Sequence, residues 1–129
     1  MRFMMLVIPK GYATAPTNDR PTAEMVGKMA KFNEELRKSG ALLSLDGLEA
    51  QAAGQRVSFS SGKATVKDGP FTEAKEAVGG YWIIQAKSRE EASAWATRAP
   101  MQDGDTIEIR RIFEMSDFPP DVQKAAQSA

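Results

Sequence analysis

Cysteine and histidine are both absent from the 129-residue chain. Their absence removes thiol nucleophiles, Ser-His and Cys-His catalytic pairs, disulfides, and zinc sites built on either residue. Proton chemistry then falls to carboxylates, Lys, Arg, Tyr, hydroxyls and backbone dipoles. Glu108 and Arg110 stand two residues apart in Thr106–Met115 (TIEIRRIFEM), so a strand would put both on one face. There Arg110 could hold an anionic group while Glu108, or Tyr81 from another strand, handles a proton. The same charges could equally form an ion pair with no ligand.

A second group lies in Asp68-Gly69-Pro70-Phe71-Thr72-Glu73-Ala74-Lys75-Glu76. Asp-Gly-Pro is strong turn chemistry, because Asp bonds the backbone ahead, Gly accepts positive φ and Pro sets the next φ. Phe71 must then bury against something. One reading is a rigid connection with an aromatic plug, and Lys75 and Glu76 as solvated charges. The other is the rim of a cavity, with Asp68, Glu73 and Lys75 as candidate polar groups. The catalytic candidates are therefore Asp68 and Glu108, and the ligand-binding candidates are Phe71, Glu73, Tyr81 and Arg110. Asp46, just before Gly47-Leu48, is a further one. No metal or cofactor is expected, since an oxygen-only site would need clustered carboxylates. Gly79-Gly80 lacks the Gly-x-Gly spacing of a phosphate loop.

The elements that must position these groups follow from periodicity. Arg2–Ile8 (RFMMLVI) is apolar on both alternating faces and stops at Pro9, as a central strand would. Met25, Met29, Phe32 and Leu36 form one stripe in a helix over Pro21–Ser39, with Thr22 or Asp19 as cap and Gly40 after its end. Ala41–Leu48 reads as a strand. Arg56–Ser60 and Lys63–Lys67 flank Ser61-Gly62 as a hairpin. Val78–Ala86 is another strand, with Gly80, Trp82, Ile84 and Ala86 on its more apolar side and Tyr81, Ile83 and Gln85 on the other. Ser88 to Glu91 is a capping box opening a helix that buries Ala92, Trp95, Ala96 and Ala99 before Pro100. In the last strand, Thr106–Met115, Ile107, Ile109, Phe113 and Met115 share one side and Glu108, Arg110 and Glu114 the other. Residues 1–115 form one domain, and 116–129 a tail or an arm across a partner.

This order predicts an α+β, ferredoxin-like sandwich: an antiparallel sheet with two helices on one face. The uncovered face, bearing Met4, Leu6 and Ile83, would be an apolar patch that monomers rarely expose. A homodimer pairing two such faces is expected, with a small-molecule cavity between them.

Seventeen basic and seventeen acidic residues cancel, so no bulk attraction toward nucleic acid or an anionic membrane is expected. The apolar start is too short for a signal peptide or a span, which makes the cytoplasm the expected location.

The DGPF run at Asp68–Phe71, continuing as TEAKEAVGGYWII, together with MRFMMLVI, FNEELRKSGALL and IEIRRIFEM, resembles the YCII-related, or DGPF-domain, family of small bacterial proteins. The resemblance implies a ferredoxin-like subunit assembling as a dimeric α/β barrel, and association with extracytoplasmic-function sigma factors. Some relatives act on chlorinated or lactone-type aromatic breakdown products through a His-Asp pair. With no histidine here, that pair has no counterpart. Three functions remain open: a small-molecule binding module, a lyase or isomerase using carboxylate chemistry, and a sigma-factor accessory.

Overall fold

The computed structural model describes residues 1–127. Arg2–Ile8 forms β1 and Pro9 ends it. Helix α1 covers Ala23–Ser39, with the Thr22 side chain accepting from the Met25 N–H and Gly40 closing the helix at φ 82°. Strand β2 is Leu42–Gly47, β3 is Gln55–Ser60 and β4 is Lys63–Asp68. Strand β5 is Gly80–Gln85, α2 is Arg89–Thr97, β6 is Thr106–Arg111 and α3 is Pro120–Gln127. Four strands make one antiparallel sheet in the order β2-β5-β1-β6. With α1 and α2 packed on one face, the arrangement is α+β and consistent with a ferredoxin-like fold.

Strand alternation sorts the sheet as expected. Phe3, Met5, Trp82 and Ile84 point toward the helices and are buried with Phe32, Leu36 and Ala92; Ile107 and Ile109 pack against them. Phe3, Met5, Leu36 and Ile84 lose essentially all contact with water, each contributing roughly 1.5–3 kcal/mol of hydrophobic stabilisation. The Phe32 ring meets Trp82 edge-on at 5.3 Å, and the Trp82 indole N–H donates to Asn33 Oδ1 at 2.7 Å. That bond satisfies the one polar atom of a buried ring. Met25 departs from the expected stripe: in the first turn of α1 it stays exposed.

The β3–β4 hairpin turns at Ser61 (φ 51°) and Gly62 (φ 76°), the two positive φ values of the tight turn that matches strand twist. It forms a separate two-stranded sheet. A second small core, Ala13, Ala50 and Phe71, lies near its base. Gln51 ties that region together, donating its side-chain amide to the carbonyls of Ala13 and Phe71.

The last strand is shorter than its pattern suggested. It ends at Arg111, and the Ile112 N–H donates to the carbonyl of Arg2, the first residue of β1. Beyond that point β1 offers no further backbone partner, so alternation no longer governs. Phe113 and Met115 are exposed instead of being half-buried with Ile107 and Ile109, and Glu114 pairs at 2.7 Å with Arg2, which alternates with Met4 and Leu6 along β1. The expected tail is ordered in part: Asp117 accepts from the Glu114 N–H and pairs with Arg111, and α3 follows.

Candidate functional site

The face of the sheet away from the helices carries the candidates from β2, β5, β1 and β6. The pairing registers lay Asp46, Tyr81, Leu6 and Glu108 in one row across it, and Ser44, Ile83, Met4 and Arg110 in the next. Leu6, Met4, Ile83 and Tyr81 are half-buried; Asp46, Glu108 and Arg110 are exposed. The result is an apolar centre of two strands flanked by polar groups from the edges.

The edges differ in how their polar groups are used. At the β2 edge the Tyr81 hydroxyl donates to Asp46 Oδ2 at 3.0 Å, which orients the phenol and leaves its oxygen free to accept. At the β6 edge neither Glu108 nor Arg110 makes a side-chain hydrogen bond or an ion pair among the described residues. The expected alternative of an ion pair is therefore not formed within one subunit. Arg110 is a free planar fork of donors suited to a carboxylate or phosphate.

The DGPF segment sits elsewhere. Asp68 Oδ1 accepts from Gln55 Nε2 at 2.8 Å, closing the hairpin at its base. A Cβ on Gly69 would collide with the backbone oxygens of Gln51 and Ala52, so the glycine lets two chain segments pass. Phe71 is 3% exposed, and the Arg56 guanidinium covers its ring at 4.2 Å. Arg56 also pairs with Glu73 at 3.3 Å. The Glu73 carboxyl lies below its ordinary range, first because its own backbone N–H bonds it, then through Lys67 and Arg56. In this subunit the segment is the plugged connection, with Phe71 turned inward.

The six candidates thus fall into two groups. Tyr81, Glu108 and Arg110 share the open face with Asp46, while Asp68, Phe71 and Glu73 gather at the hairpin base. No hydrogen bond or ion pair between described residues joins the two groups. Gln51 and Arg56, which organise the second group, were missed in the sequence; only their closeness to the Asp-Gly-Pro turn could have pointed to them. Among the described residues no cluster of three or more carboxylates could hold a metal ion, and no helix is long and apolar enough to cross a membrane.

No curated protein matches the chain. The family model described as the YCII-related domain matches residues 1–116, spanning the whole sheet, both covering helices and the DGPF segment. The chain belongs to the YCII-related domain family.

Proposed function

We propose that this YCII-related chain acts as a cytoplasmic homodimer, stacking its open sheet faces into a dimeric α/β barrel that holds a small anionic molecule in the gap. The observation that carries this reading is the pair of partnerless charges, Glu108 and Arg110, beside an apolar sheet face. Left in water, the Met4, Leu6 and Ile83 surface forfeits hydrophobic stabilisation. Covered by a second sheet, it would leave Arg110 partly desolvated, where an anion is its natural complement. Glu108 and Tyr81 would then flank the bound molecule.

The same residues support a second reading, catalysis of the lyase or isomerase type. Glu108 would take a proton while Arg110 steadies the resulting anion. Asp68 would join only if a partner subunit brought its hairpin base to the gap.

Thermal-shift screening of small acids, lactones and phenolics, followed by mass spectrometry, separates these readings. A stabilising acid recovered unchanged, with affinity reduced about tenfold or more in Arg110→Ala as expected for losing a charge-assisted bond, supports binding. Turnover abolished in Glu108→Gln or Asp68→Asn supports catalysis. Absence of any stabilising ligand, with a sigma factor co-purifying, overturns both in favour of the accessory role.

A further inference from the structure

The β3–β4 hairpin is poorly accounted for by a single subunit. Its strands pair only with each other, and every residue from Gln55 to Asp68 is exposed. A lone two-stranded ribbon is marginal in water unless something packs on it. Alternation gives this one two unlike faces. Val57 opposes Val66 and Phe59 opposes Ala64 on one face, while Arg56 opposes Lys67 and Ser60 opposes Lys63 on the other. Phe59 is 79% exposed and Val66 61%. The Ser61-Gly62 turn sets the register, so this apolar strip is a fixed feature of the ribbon.

A second uncovered strip follows β6. Phe113 is 69% exposed, and Met115 and Val122 are exposed with it; the Phe113 and Phe118 rings lie 5.0 Å apart. The two segments that carry these strips are opposite in charge. Between Gln55 and Lys67 stand Arg56, Lys63 and Lys67 with no acidic residue, and between Phe113 and Gln123 stand Glu114, Asp117 and Asp121 with no basic one. In the chain the hairpin follows β2 and the second strip follows β6, the opposite edges of the sheet.

We propose that the two strips are halves of one contact between two copies of this chain. The hairpin of one copy lies along the Phe113–Val122 segment of the other, apolar strip on apolar strip, and the cations on the ribbon's other face give it a charge opposite to that of the acidic segment, which draws the two together. A two-fold axis running along the strands of two stacked sheets sets the β2 edge of one copy over the β6 edge of its mate, so the contact forms twice. The reciprocity, though not the match of the two surfaces, rests on the face-to-face pairing proposed above. The arms would close both sides of the gap and make the cavity a property of the dimer.

The lack of native cysteine gives a direct test. Val66→Cys combined with Val122→Cys in the full-length protein should form a disulfide-linked dimer under mild oxidation. Neither single variant should link the two segments. Independently, Phe59→Ser should raise the dimer dissociation constant about 900-fold, about 30-fold for each of the two anchoring side chains lost. Its subunit fold, read by circular dichroism, should persist because Phe59 is exposed. A dimer that neither cross-links through this pair nor weakens in Phe59→Ser overturns the arm contact and leaves face pairing standing. A protein monomeric at every concentration overturns both.

Discussion

At the scale of single residues, the contacts of the DGPF segment hold the base of a hairpin. Asp68 closes a hairpin, Phe71 fills a small core and Arg56 caps that ring. Gly69 has little freedom to change, since any side chain meets the Gln51 backbone. Gly69→Ala is expected to lower stability by about 2 kcal/mol or more, the range for forced backbone displacement. Asp68→Asn, which keeps an acceptor for Gln55, should fall within about 0.5 kcal/mol of the parent. Urea unfolding measures both, and equal losses would contradict this division of labour. The segment's turn chemistry was legible in the sequence. That its side chains serve the hairpin base was not, because Gln51 and Arg56 reach it from other parts of the chain.

At the scale of elements, the end of β6 is set by hydrogen-bond supply. Alternating apolar residues run on to Met115, but β1 starts at Arg2 and has nothing left to pair with. The chain instead turns through ion pairs. Asp117 lies below the ordinary carboxylate range because Arg111 and then the Glu114 N–H bond to it, and Glu114 lies below it because of Arg2. A lowered native value means that the unfolded segment binds protons more readily than the docked one. The contribution is fully present above about pH 5 and is lost as the pH falls through the lower native values. Acidification from about pH 5 to 2 should therefore release residues 113–127 before the sheet unfolds, as read by hydrogen exchange. Loss of the segment and the sheet in one step would show that these pairs do not hold it.

At the scale of the whole molecule, the decisive feature is a sheet with one covered face. The helix side is closed by Phe32, Leu36 and Trp82, while Met4, Leu6 and Ile83 on the other side are only half-buried. Ile83→Lys places a charge near the middle of that face, between Ser44 and Met4. It should give particles with the mass of one chain in light scattering at micromolar concentration, with the subunit fold retained. An unchanged two-chain mass would contradict pairing through this face and move any cavity elsewhere.

The sequence by itself determined the six strands, the two covering helices, their order and which side of each sheet strand is apolar, because these follow from local periodicity, caps and turn residues; the end of β6 and the helix α3 it did not show. It also determined the chemical inventory, since no fold can supply a missing histidine or cysteine. Only the tertiary structure decided which candidates stand together. Tyr81 meets Asp46, and Glu108 and Arg110 stay unpaired on their edge, because strand register is set by pairing between distant segments. The structure likewise set the hairpin apart and turned Phe71 inward. Those outcomes depend on how separate parts of the chain share one core and one supply of backbone partners.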